Sequence, residues 1–161
     1  MNFTALATVI LATAFLATPT NAQSLTRAVY IEESVKTNEF EEKVRSALFA
    51  RINATTRYVI GEAVNSELEI SLVCLAMSDL IKGYTGGVCS YNIFYWPNEL
   101  FGLSRALGPP VIISNIEPST IAEDVFETMV SYSTEKALAK NLASMKTAIA
   151  NYEADKVKSK P

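Results

Sequence analysis

The chain has 161 residues, with 14 Lys and Arg against 17 Asp and Glu, a net charge of −3, and no histidine. Without histidine there is no Ser-His-Asp or Cys-His catalysis and no imidazole metal ligand, and two cysteines alone cannot hold a structural zinc. Mild acidity with scattered basic residues leaves no electrostatic footprint for nucleic acid.

Residues 1–22 contain no Asp, Glu, Lys or Arg. An apolar run from Ala5 to Ala17 precedes Pro19 and the small residues Thr20 and Ala22. This pattern predicts a cleavable secretory signal that releases a chain starting at Gln23. The run is about 13 residues, short of the roughly 20 that span a bilayer. Met1 to Thr4 lack Lys and Arg, so the terminal amine is the only positive charge there, and an uncleaved anchor or a buried helix stays open as an alternative. Residues 23–155 read as a single domain, and the basic residues of 156–161 as a disordered tail. No second apolar run is long enough for an integral membrane span once the signal is removed.

Arg27 to Glu33 has the β-branched and aromatic content of a strand. A helix follows, with Asn38 as cap and Glu41 at capping-box spacing. Phe40, Val44, Ala47, Leu48 and Ile52 recur at spacings of three and four along one face. Glu39 with Lys43 and Glu41 with Arg45 are expected as exposed ion pairs in the favourable order. Arg57-Tyr-Val-Ile60 is the second strand. In Glu67 to Met77, Leu68, Ile70, Leu72, Cys74 and Ala76 alternate onto one face. Glu67, Glu69 and Ser71 begin the other face, which becomes apolar at Val73, Leu75 and Met77 and is expected to be covered there.

After the glycine-rich turn Lys82 to Gly87, Val88 to Trp96 is predicted as the partner strand, with Cys89, Tyr91, Ile93 and Tyr95 on one face. Residues 98–108 read as irregular or a short edge element, and Val111 to Ile113 as a short strand. Pro118 suits the first turn of a long helix. Its stripe of Ile121, Val125, Met129 and Tyr132 continues through Leu138, Leu142, Met145, Ile149 and Tyr152. Ser131-Tyr-Ser-Thr134 is a weak helix former and a place for a kink or split.

These elements predict an α+β, two-layer sandwich: two amphipathic helices packed on a mixed or mostly antiparallel sheet of four to five strands. In layout the chain resembles the amino-terminal domain of TolB-like envelope proteins. There too a helix leads into a strand like Arg57-Tyr-Val-Ile60, then a hairpin, then a closing helix like Ile121 to Met129. The resemblance covers most of residues 23–161, rests on element order, and implies a role in supporting an envelope assembly.

Cys74 and Cys89 flank one turn on matching faces. If the hairpin sets them opposite each other, their side chains meet across the ladder. An even, small cysteine count in an exported chain favours a disulfide contributing roughly 3 kcal/mol. A redox pair and two free buried thiols are the alternatives, and the redox pair lacks the usual C-x-x-C spacing at a helix start. Tyr91, Phe94, Tyr95, Trp96 and Phe101 concentrate aromatics, including the only tryptophan, and form the candidate partner surface. Tyr91 and Tyr95 point one way, Phe94 and Trp96 the other, so one set suits the core, and the other is either a surface or covered, as when the helices and the 98–108 loop cover both faces.

Ser133-Thr-Glu-Lys136 has S-x-x-K spacing, but no companion motif accompanies it. Glu41-Glu42 and Glu123-Asp124 sit in first turns of helices, where acids serve the dipole and stay solvated. Neither is read as catalytic. The expected function is therefore that of an exported, non-enzymatic protein of periplasm or exterior that binds or supports another protein there, without cofactor or metal. A small-ligand carrier with a cavity between helices and sheet is the alternative, and a carboxylate-only hydrolase a more distant one.

Overall fold

The computed structural model describes residues 26–33 and 37–158. The predicted signal peptide and its cleavage point lie outside the described residues, as do residues 159–161. Six strands form one mixed sheet: β1 (Arg27–Ile31), β2 (Tyr58–Ile60), β3 (Leu68–Ala76), β4 (Gly87–Tyr95), β5 (Arg105–Ala106) and β6 (Val111–Asn115). Three helices accompany them: α1 (Glu39–Asn53), α2 (Pro118–Tyr132) and α3 (Glu135–Lys158). The sheet runs β2-β1-β3-β4-β5, with β6 on the same side of β4 as β5 but at its other end. Parallel pairing of β1 with β2 and β3 requires a crossover, which α1 supplies between β1 and β2. Strands β3 and β4 pair antiparallel through nine registered positions, Leu68 opposite Tyr95 to Ala76 opposite Gly87.

Alternation decides which side is covered. Leu68, Ile70, Leu72 and Cys74 of β3 join Cys89, Tyr91, Ile93 and Tyr95 of β4 beneath α1 and α2. From the helices come Val44, Leu48 and Ile52 of α1 and Ile121, Val125 and Met129 of α2, each fully buried. Burying an aliphatic side chain this completely contributes about 1.5–3 kcal/mol. Helices α1 and α2 are joined at the rim by Arg51, which pairs with Glu123 at 2.8 Å and stacks over the Phe126 ring at 4.2 Å. The turn before β4 needs Gly86: its φ is +95°, and a Cβ there would meet the Asn115 carbonyl oxygen at 2.7 Å.

The long helix expected after Pro118 is two helices. Ser133 tucks its hydroxyl into the core against Tyr58 OH (2.6 Å), and Thr134 Oγ1 accepts from the Ala137 amide, capping a new start. Past Met145 the second of these leaves the core, and Tyr152 is exposed. The start of α1 also departs from expectation. Asn38 caps it, accepting from the Glu41 amide at 2.9 Å, but Glu41 does not turn back to complete a capping box. Its carboxylate is fully buried, and the Glu41–Arg45 pair expected on the surface lies inside the fold.

The cause is a mismatch in strand length. Pairing of β1 with β3 ends at Ile31 opposite Ile70, and Glu32 N–H adds one last bond to the Ile70 carbonyl. Beyond it the β3 edge has no strand neighbour among the described residues, and buried backbone groups must be satisfied otherwise. Side chains of α1 take the place of a strand. Arg45 Nη2 donates to the Leu72 carbonyl (2.9 Å), Glu41 Oε2 accepts from the Cys74 amide (2.9 Å), and Asn38 Nδ2 donates to the Cys74 carbonyl (2.7 Å). Arg45 Nε closes the set on Glu41 Oε1 at 2.9 Å.

Candidate binding face and cleft

The five aromatics singled out from the sequence separate. Tyr91 and Tyr95 lie on the helix-covered side and are buried, so they belong to the core and present no surface. Tyr91 OH reaches Asp124 Oδ2 (2.8 Å) and Thr128 Oγ1 (2.9 Å) on α2. Burial, reinforced by the Asp124 carboxylate against the opposing Thr128 bond, pushes the Tyr91 phenol up to about 12. A phenol harder to ionise in the folded state stabilises it below the unfolded value of 10, and that stability is lost as pH rises from there through the folded value. Urea melts are therefore expected to show stability falling between about pH 10 and 12, with a shallower fall in Tyr91→Phe. The same variant is expected to lose about 1 kcal/mol at pH 7. An identical alkaline slope in both proteins would show that Tyr91 does not carry it.

Cys74 and Cys89 are opposite each other in the ladder and lie at disulfide distance, S–S 2.07 Å and Cα–Cα 4.0 Å. Both are in the core.

The opposite side of the sheet carries no helix-packed core. By register it presents Glu69, Ser71, Val73 and Leu75 of β3, Val88, Ser90, Asn92 and Phe94 of β4, and Ile112 and Ser114 of β6. Val73 and Leu75, expected to be covered, are 55% and 56% exposed, and Ile112 is 75% exposed. Alternation had placed Val73 and Leu75 on this side, but whether a layer covers it is not a property of the strand. Leu75 lies beside Val88, and Val73 is one strand removed from Ile112 through Ser90. Among these strand positions Glu69 is the only charged one. A solvated sheet face is ordinarily polar. This one is apolar toward the β3–β4 turn, at Val73, Leu75, Val88 and Ile112, and polar at Ser71, Ser90 and Asn92.

At the far end of the same side, Trp96 continues beyond Phe94, and the chain turns back through Pro97 to Leu103 opposite a 3-10 turn at Ala63–Asn65. Between them opens a cleft of about 440 Å³ lined by Val64, Glu69, Trp96, Pro97, Leu100 and Phe101 among others. Phe94 and Trp96 are half-buried, and Phe101 at the cleft is fully exposed. Glu69 is the single charged residue of the lining. Burial raises its carboxyl above the ordinary value, the neighbouring Trp96 indole lowers it, and the Glu32 charge raises it again. The two groups are neighbours without hydrogen-bond geometry, and Trp96 Nε1 is buried with no partner among the described residues. The nearby Glu67 is instead paired with Arg27 at 2.6 Å.

Other sequence candidates are dispersed. Ser133 is fully buried while Lys136 is exposed, so the S-x-x-K spacing brings nothing together. Glu123 pairs with Arg51, and Asp124 accepts from Tyr91. Glu41, expected to be solvated, is locked to Arg45 and Cys74. Among the described residues no group of three or more His, Cys, Asp or Glu converges as a metal site, and no helix is long and apolar enough to cross a membrane. The residues that sequence reasoning missed are Glu69, Leu75, Ile112 and Leu100. For Leu75 a signal existed, since it shares its parity with Glu69 rather than with the core residues. Comparison with family models, curated proteins and solved structures finds no match to this chain.

Proposed function

We propose that this is an exported, non-enzymatic binding protein that docks another envelope or extracellular protein on the open side of its sheet. The observation that carries the reading is the apolar group at the β3–β4 turn end of that side, where Val73, Leu75 and Ile112 stand exposed near Val88. Exposed apolar residues gathered in one region of a surface mark interaction sites. Beyond Ser71 and Asn92, Phe94, Trp96 and Phe101 add at the other end the aromatic residues that dominate interface energetics. The disulfide-distance cysteine pair favours an oxidising compartment and so supports export.

Photo-crosslinking in the native host tests the proposal. A photoreactive residue at position 75 or 112 is expected to trap one discrete protein, and the same residue at Lys140 on α3, which is exposed, is expected not to. Ile112→Lys should abolish the product formed from position 75 while changing stability by no more than about 0.5 kcal/mol, as for other exposed sites. Equal products from the sheet and from Lys140, or none from the sheet, would remove the reading.

A further inference from the structure

The cleft lies at the end of the open side away from the β3–β4 turn, and its chemistry is distinct from that of the apolar group at the turn. Its walls are Val64, Pro97, Leu100 and the aromatic rings of Trp96 and Phe101, and its volume of about 440 Å³ is that of a small-molecule site. In a lining otherwise free of charge sits one carboxylate, Glu69. No arginine or lysine pairs with it among the described residues, whereas its neighbour Glu67 has Arg27 and Glu99, on the same loop as Leu100, has Lys146. The charge that acts on it is another carboxylate, Glu32. Ionised, Glu69 is thus partly buried in a largely apolar lining that also holds Ser66 and Asn98, under the influence of a like charge and with the Trp96 indole as a neighbour.

What would relieve this arrangement is a cation. A carboxylate in the lining of a cleft that also holds aromatic rings matches an ammonium group on an apolar body: the charge pairs with the carboxylate, and a ring face can attract it further. An anionic ligand would add a third negative charge beside Glu69 and Glu32. A neutral apolar ligand would fill the walls but leave the carboxylate desolvated and unpaired, which costs affinity. We propose that the cleft between residues 63–66 and 97–103 binds small organic cations, with an ammonium on the Glu69 carboxylate and the apolar body against Trp96, Leu100 and Phe101. This does not rest on the docking of a protein at Leu75 and Ile112, and its readout is a different one.

Trp96 is the only tryptophan of the chain, so its fluorescence reports on the cleft alone. Three probes with the same six-carbon body, hexylammonium, hexanol and hexanoate, are titrated at pH 7.5. Hexylammonium is expected to change Trp96 emission saturably at a concentration roughly tenfold lower than hexanol, the difference that one charge-assisted contact provides. Hexanoate should bind more weakly than hexanol. Glu69→Gln, on a partly solvated side chain with no partner that folding needs, should bring hexylammonium to the level of hexanol. Phe101→Ala, at a fully exposed position, should weaken both by several-fold through loss of a wall. Equal affinity for hexylammonium and hexanol, an unchanged hexylammonium affinity in Glu69→Gln or in Phe101→Ala, or no saturable signal from any probe would each overturn the proposal.

Discussion

Replacing Glu41 by alanine is expected to cost about 3–5 kcal/mol, the range for breaking a buried ion pair from one side. The carboxylate is fully buried and holds two donors, the Arg45 guanidinium and the Cys74 amide. Its removal takes from the interior Arg45 the carboxylate it pairs with, and leaves the Cys74 N–H without the partner that replaces a strand. Glu41→Gln keeps an acceptor for that amide and should cost less. Replacing both charges with methionine should recover much of the loss, because the penalty of an uncompensated charge disappears with the second substitution. Urea unfolding of the three variants measures this order. A Glu41→Ala cost below about 1 kcal/mol, the value of an exposed pair, would mean that the pair stays solvated in solution.

The same residue marks where the sequence stopped being informative. An acid in the first turn with a base four positions on is the pattern of a solvated pair, and nothing local distinguishes Glu41 from Glu39, whose pair with Lys43 is on the surface. Burial of one and not the other depends on β3 outlasting β1, a relation between two strands that neither encodes by itself. Period-two patterns were legible for the opposite reason. The side on which Leu68 to Ala76 and Cys89 to Tyr95 fall is a property of each strand, and it placed the core faces of β3 and β4 and the facing cysteines correctly. The weak helix formers at Ser131 to Thr134 likewise marked the split between α2 and α3, although loss of the core beyond Met145 depends on where the sheet ends. Alternation separated Tyr91 and Tyr95 from Phe94 and Trp96, but could not tell that only one side receives helices. The cleft was hidden further still. Glu69 and Trp96 are far apart in sequence, and the return of residues 97–103 over them follows no periodicity.

Joining Cys74 to Cys89 closes a loop with a sequence separation of 15, for which restriction of the unfolded chain is worth about 3 kcal/mol. Reduction of the wild-type protein is therefore expected to lower its midpoint by on the order of 10 °C, as that loss implies for a domain of this size. Reduction retains every atom of the packed hairpin, so it isolates the cross-link, whereas Cys74→Ala with Cys89→Ala adds the loss of two buried sulfurs and should cost more. The cysteine position also couples this effect to the Glu41 network. The Cys74 amide and carbonyl are the groups that Glu41 and Asn38 hold, so the cross-link to β4 and the docking of α1 act on one residue. Effects at groups in contact are not additive in general. Here the disulfide keeps the β3–β4 ladder in place when α1 loosens, and α1 keeps the β3 edge satisfied when the disulfide opens. Either loss alone is thus expected to leave a folded domain. Glu41→Ala under reducing conditions, where the two losses together reach well into the roughly 5–15 kcal/mol of a typical domain, is expected to unfold at 25 °C. Circular dichroism of the four combinations decides the matter. A reduced Glu41→Ala protein that melts as high as the oxidised one would show that the cross-link contributes nothing to the fold.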